Sequence, residues 1–207
     1  ALRETLLAIP GVQKVTASES VPGRPMPSSV ADLKRGQNEG GQTFFFLPVD
    51  HDFIESYSLE LISGRGFSRD YETDAGGAFV LNEAAYQALG WTDAQQPIGR
   101  ELTRQFSDSR NIIGVMRDFN YRSLQFEVQP LVLYIRPDSY AFVSVKLATE
   151  NLPDTIAAIQ LVWESFVPDT PFEYFFLAED FETQYHLEQQ ISRLLQAFTL
   201  LAIGIAC

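Results

Sequence analysis

The sequence predicts an α+β fold in which a β-α-β pair, built from both ends of the chain, is interrupted by a central insert near residues 48–137. Three observations carry that expectation. LRETLLAIPGVQKVTAS (residues 2–18) reads helix, proline, strand, and DTIAAIQLVWESFVPDTPFEYFFL (residues 154–177) repeats the order with a strand in front of it. The strand that would lead the first copy is expected just before residue 1. Between the copies, AFVLNEAAYQALGW (residues 78–91) is a strand running into a capped helix. Apolar residues make up 45% of the chain and aromatics 13%, which is enough to build a core and excludes a disordered segment.

In chain order, residues 1–9 show helical spacing (Leu2, Leu6, Ile9) that Pro10-Gly11 ends, and residues 12–18 alternate as a strand. Residues 21–41 are rich in Pro, Gly, Ser and charge, so a long, mobile loop is expected there. TFFFLPVD is a strand whose Asp50 can cap a short helix through Tyr57, and LELISGRGF is a strand leaving through glycines. In the central unit Asn82 is the expected N-cap, residues 83–89 the helix, and Gly90 its end. Leu81 and Tyr86 sit at the spacing of a hydrophobic staple across that cap. QPIGREL turns into a strand; residues 111–116, 131–135 and 140–147 give three more. Asn151, with Asp154 three residues on, caps a helix over 152–166 whose partner strand is residues 172–177. Trp163, Phe166 and Phe175 fall on the apolar faces of those elements and are expected to be buried. A long helix is expected from Asp180 to the last residue.

Charge and cysteine content narrow the function. With 15 basic and 27 acidic residues the formal charge is −12, which repels phosphate backbones and anionic lipid heads; nucleic acid is excluded as a partner and proteins are favoured. Cys207 is the sole cysteine, so no intramolecular disulfide or thiolate metal site can form, and an oxidising compartment remains open to the chain. His51 and His186 are far apart in sequence and read as surface or helix residues. From Leu194 onward LLQAFTLLAIGIAC carries no charge; it is shorter than the roughly 20 residues a bilayer requires. It reads as the first turns of a transmembrane helix, against the alternative of a buried C-terminal helix.

The densest polar knot follows an apolar strand: Arg117-Asp118-Phe119-Asn120. Its likeness to kinase motifs fails on spacing, since Ser123 stands where a catalytic-loop Asn belongs and Asn120 where Asp-Phe-Gly has its glycine. SGRGF (residues 63–67) lacks the third glycine and the Lys-Ser/Thr of a phosphate loop and reads as a turn. No Gly-x-Ser-x-Gly or His-Glu-x-x-His occurs. No catalytic, cofactor or metal residue is assigned. Arg117 and Asp118 are expected to form a local ion pair where the strand leaves the sheet, with Phe119 and Tyr121 packing inward.

Five elements, in order, resemble the periplasmic core domain of MacB-type ABC transporter permeases, relatives of FtsX and the lipoprotein exporters. They are Asp50 and Phe53 with Leu61, Gly64, Arg65 and Phe67; Val80-Leu81-Asn82-Glu83; Pro97-Ile98-Gly99; Ile113-Gly114-Val115 with Asp118-Phe119; and Pro130-Leu131. FFLAEDFETQYHLEQQISRLLQAFTLLAIGIAC looks like the stalk helix that enters the second membrane helix of such permeases. The resemblance implies a two-lobed extracytoplasmic domain: residues 1–47 and 138–179 as the two halves of a β-α-β-duplicated lobe, residues 48–137 as a smaller inserted α/β lobe, and residues 180–207 as the stalk. It implies a bacterial inner-membrane protein with this domain on the periplasmic side, non-catalytic and without cofactors. Its implied partners are a cytoplasmic ABC ATPase reached through the membrane domain and a periplasmic adaptor or cargo (peptide, lipoprotein or small molecule), with a dimer in the full transporter. The implied role is to transmit ATP-driven conformational change. The alternative is an extracytoplasmic ligand-sensing domain of a membrane receptor.

Overall fold

In this computed structural model, residues 2–24, 30–34, 43–104, 109–121, 127–148 and 150–178 are described. Helix α1 (Leu2–Leu7) turns at Pro10-Gly11 into β1 (Val12–Ser18), as the sequence pattern requires. Gly11 has φ +92°, and a Cβ on it would lie 2.9 Å from Thr155 Oγ1, so this turn packs on the helix from the other end of the chain.

The next segments enter a mixed, curled sheet. Strand β2 (Val30–Lys34) lies inside the stretch expected to be loop; β3 (Thr43–Pro48) follows, then the short α2 (Phe53–Ser56) and β4 (Leu61–Gly64). Helix α3 (Asp74–Gly77), β5 (Ala78–Asn82), α4 (Glu83–Ala88), β6 (Glu101–Arg104), β7 (Ser109–Met116) and β8 (Leu131–Tyr134) complete it. The strand order is β4-β7-β5-β8-β3-β2-β6. One edge of β7 is shared. Its first half pairs with β6 (Thr103↔Ser109) and its second half with β4 (Gly64↔Gly114), so the sheet curls until β6 meets β7. Strands β3 and β2, which precede the expected insert at residue 48, pair within this sheet.

Alternation along the central strands explains why both sheet faces are covered. Phe79 and Leu81 of β5 pack with Val132 and Tyr134 of β8 and Phe44 and Phe46 of β3 on one face. Ala78 and Val80 pack with Leu131, Leu133 and Leu47 on the other. Each large side chain so buried contributes about 1.5–3 kcal/mol. Helix α4 covers the first face with Ala85 and Tyr86, and α2 the second with Phe53 and Ile54.

Helix α4 is the element the sequence described best. Asn82 Oδ1 accepts from Ala85 N at 2.9 Å, and Leu81 and Tyr86 share one apolar cluster. The helix ends in a Schellman motif: Gly90 N bonds Gln87 O, Trp91 N bonds Tyr86 O, and Gly90 has φ +78°. Gly90→Val should cost about 1 kcal/mol or more, because a β-branched residue is strained at that φ. An unchanged thermal midpoint would contradict the cap.

Strand β9 (Phe142–Leu147) pairs antiparallel with β1 from Val12↔Leu147 to Ser18↔Phe142, forming a small two-stranded sheet from the N- and C-terminal strands. Helix α5 (Leu152–Phe166) and α1 lie on it around Leu6, Val15 and Ile159. Three expectations need correction here. Asn151 adopts a left-handed conformation and makes no side-chain cap. Residues 171–176 run without entering a ladder. Trp163 is only half-buried, and Phe166 and Phe175 are 47% and 39% exposed. The exposure of Trp163 and Phe166 has one physical reason: with two strands and one short helix beneath it, α5 has surface to bury Thr155 and Ile159 but not its last turn. The helix expected from Asp180 and the apolar C-terminus lie outside the described residues.

Candidate functional site

Two places concentrate polar side chains: the exit of β7, and the segment 49–57 that follows β3. At the first, the expected Arg117–Asp118 pair does not form. Arg117 Nη2 bonds Glu60 Oε1 at 2.9 Å, with both side chains more than half exposed, an arrangement worth about 0–1 kcal/mol. Asp118 Oδ1 accepts from Ala84 N at 3.0 Å, and Asp118 N donates to Glu83 Oε2 at 2.9 Å. The cause is register. Strands β5 and β7 run parallel with Asn82 opposite Met116, so the chain leaving β7 emerges beside the free amides of α4. Burial, with the Glu83 charge adding to it, pushes the Asp118 carboxyl above its ordinary value despite the Ala84 amide. Tyr121 is buried and Phe119 packs against the second sheet cluster, as expected.

Farther back along β7, where Arg65 lies against Ile113, Arg65 grips Asp74 through two bonds, Nη1 to Oδ2 at 2.6 Å and Nη2 to Oδ1 at 2.9 Å, and Ser68 N donates to Oδ2 at 3.0 Å. The Asp74 side chain is 1% exposed. Burial alone would raise its carboxyl, but the Arg65 and Ser68 bonds outweigh it and hold the group below the usual carboxylate range. A depressed folded-state pKa means that this stabilisation is present above the unfolded value of about 3.9 and is lost as pH falls through the folded one. Arg65→Ala should therefore cost about 2 kcal/mol at neutral pH and less below pH 4, since protonated Asp74 no longer leaves a charge unpaired. A loss independent of pH would show that the packing of Arg65 over the Tyr71 ring, 3.9 Å from its centroid, is what matters.

Segment 49–57 reaches α1, β1 and β9 of the two-stranded unit. Asp50, nearly buried, accepts from Thr16 Oγ1 of β1 and from Asp52 N, while Asp50 N donates to Ala17 O at 2.9 Å. The sequence had suggested Asp50 as the cap of α2; its Oδ1 is instead divided between β1 and the turn before α2, and the residue that precedes the helix, Asp52, makes no side-chain cap. Burial raises the Asp50 carboxyl, the Thr16 hydroxyl offsets part of the rise, and the charge of Asp52 adds to it. Asp52 takes both guanidinium nitrogens of Arg69, Nη1 at 2.9 Å and Nη2 at 2.6 Å, and its Oδ2 also lies 2.6 Å from Arg3 Nε on α1. Burial would raise Asp52, but the two arginines outweigh it and lower its carboxyl. Lys14 Nζ reaches Glu55 O and Oε1, both at 2.9 Å; Tyr57 OH meets Ser144 Oγ of β9 at 2.8 Å; and Tyr140 OH donates to Val49 O at 2.7 Å. Between these groups His51 is half-buried, its pKa lowered first by burial and then by Arg69.

Among the described residues, no three His, Cys, Asp or Glu side chains gather to hold a metal, and no helix is long and apolar enough to cross a membrane. What these contacts do is mechanical: they join the two-stranded unit to the seven-stranded sheet. Sequence reading singled out Asp50 but not Asp52, because its partners Arg3 and Arg69 lie 49 and 17 residues away.

No protein-family model and no curated protein matches the sequence. Solved structures do share its fold. The periplasmic region of MacB from Actinobacillus actinomycetemcomitans superposes with a TM-score of 0.56 at 17% identity, over 80% of this chain and 72% of that one. The extracellular domain of the noncanonic ABC-type transporter YknZ from Gram-positive bacteria gives 0.58 at 14% identity, over 82% and 83%. A domain of a Porphyromonas gingivalis protein named as a permease gives 0.54 at 20% identity, over 83% and 82%. The fold is that of the MacB-type outer domains, as the resemblance implied.

Proposed function

We propose that this chain is the extracytoplasmic domain of a MacB/FtsX-type ABC transporter permease, seated on the outer face of a bacterial inner membrane. In this reading it is not an enzyme; it passes ATP-driven conformational change from the membrane helices to a periplasmic adaptor or cargo. The observation that carries the reading is similarity of fold over 80–83% of the chain to three solved domains, one named as the periplasmic region of MacB, one as the extracellular domain of an ABC-type transporter and one as a permease domain. The polar joint at residues 49–57 supports it, since a transmitting domain needs its parts tied together. Residues 1–47 and 138–179 form one lobe and residues 48–137 the inserted lobe in this proposal, with the adjustment that β2 and β3 belong to the sheet of the inserted lobe. Residues 180–207 form the stalk. The partner is an ABC ATPase on the cytoplasmic side, and the transporter is a dimer.

The test uses the full-length protein in its native membrane. Protease added from outside should digest this domain, and affinity purification should bring down an ABC ATPase in comparable amount. A protected domain would overturn the extracytoplasmic placement, and a protein that carries a kinase or cyclase module in place of an ATPase partner would overturn the proposal in favour of a sensing receptor.

A further inference from the structure

The apolar clusters of the seven-stranded sheet and the cluster beneath α1 and α5 have no residue in common. Across residues 49–57 the two parts are held by hydrogen bonds and ion pairs, and such polar internal interfaces leave relative motion as the default. Most of those bonds reach β1 or β9. The carboxylate of Asp52 reaches α1, through Arg3.

We propose that Asp52 is a latch that fixes α1 to the seven-stranded sheet, so that a displacement of α1 carries the sheet with it. Three features support this. First, both carboxylate oxygens are engaged, with the Arg69 fork spanning them and Arg3 sharing Oδ2. Second, Asp52 is the least exposed member, at 18% against 38% for Arg3 and 51% for Arg69, so the anion is the fixed centre on which two cations converge. Third, α1 has only six residues, too few to be stable alone, and its one buried side chain is Leu6. Leu2 and Leu7 pack only partly buried beside Leu6, and all three face the two-stranded unit, so removing the ion pair leaves α1 tied to that unit and free to shift against the sheet. Lys14 with Glu55, and Thr16 with Asp50, hold β1, whereas Asp52 reaches α1. The other charged groups facing Asp52 are Asp50 and His51, neither of which can replace it as the partner of Arg3 and Arg69 together.

This deepens the transmission reading and depends on it for its purpose, but its test is made on this 207-residue chain and is decided whether or not the full protein transports anything. Spin labels at Glu4→Cys on α1 and Gln87→Cys on α4, in a Cys207→Ser background, report the distance between helix and sheet by pulsed electron resonance. Wild type should give one narrow distribution. Asp52→Asn, which keeps size but drops the charge, should widen it at least about twofold, as expected when an ion pair that joins the helix to the sheet side is broken and its cations are left without that partner. Arg3→Gln, at a more exposed position, should widen it similarly without unfolding risk. Glu60→Gln, which removes the exposed pair with Arg117, should leave it unchanged. Distributions for Asp52→Asn and Arg3→Gln that overlay the wild type, or equal widening by Glu60→Gln, would overturn the latch.

Discussion

Gly114→Ala is expected to destabilise this domain by at least about 3 kcal/mol, the upper part of the range for overpacking, which is a large share of the 5–15 kcal/mol that holds a typical domain together. The reason lies where β4 crosses β7. A Cβ on Gly114 would stand 2.1 Å from Arg65 O, and a Cβ on Gly64 would stand 2.2 Å from Ile113 O. The clash is reciprocal and both obstacles are backbone, which cannot rotate away as a side-chain tip can. Gly64 adds a second constraint, φ +68°, the left-handed region where a side chain costs further strain. Arg65 N donates to Ile113 O at 2.9 Å across the same crossing, so separating the backbones to admit a methyl group would also break a ladder bond and shift the Arg65 fork off Asp74. Urea unfolding measures this. A loss below about 1 kcal/mol would show that the strands have room to part.

Asn82→Ala should cost about 3 kcal/mol, because three bonds, two of them buried, depend on one fully buried side chain. Its Oδ1 accepts from Ala85 N at 2.9 Å and from Leu131 N at 2.8 Å, and its Nδ2 donates to Gln129 O at 3.0 Å. One residue thereby starts α4 and pins the entry of β8, in sequence 49 residues away. A cap alone is worth about 1 kcal/mol, so the excess measures the tie to β8. Hydrogen exchange separates the two contributions: the Leu131 amide should lose protection along with that of Ala85. If Leu131 stays protected, Asn82 is only a helix cap.

What could be read from the sequence was local. The unit from Asn82 to Gly90 was legible because cap, staple and left-handed glycine all sit within ten residues, and each is a statement about short-range geometry. The strands at 111–116 and 131–135 were legible from apolar runs, and the fold from the order of short motifs. Pairing was not. That β3 lies parallel to β8, or that β7 divides one edge between β4 and β6, is decided by side chains meeting across the core and leaves no periodic trace. Strand β2 was hidden because VADLK carries too little apolar alternation to stand out from a polar loop. The exit of β7 shows the limit most clearly. Arg117 and Asp118 are neighbours of opposite charge, and pairing them was the natural local guess. The register of β5 against β7 offered Asp118 a helix N-terminus, and the antiparallel β4 offered Arg117 the carboxylate of Glu60. Asp52 is the same lesson at the joint, a carboxylate whose meaning is set by residues 3 and 69.

The proposed function stands or falls on whether this domain carries force from the membrane. If residues 180–207 form a stalk, that helix rises roughly 1.5 Å per residue and is stiff along its axis, so a moving membrane helix must move the domain. Replacing Gln189 and Gln190 by glycine would cost the helix about 1 kcal/mol per position and soften it at one point, leaving the folded residues before it unaltered. The measurement is transport and ATP hydrolysis by the full transporter, wild type and diglycine variant, at matched expression. ATP hydrolysis should persist while transport falls. Transport at the wild-type rate would make the stalk a passive tether and contradict force transmission through this domain.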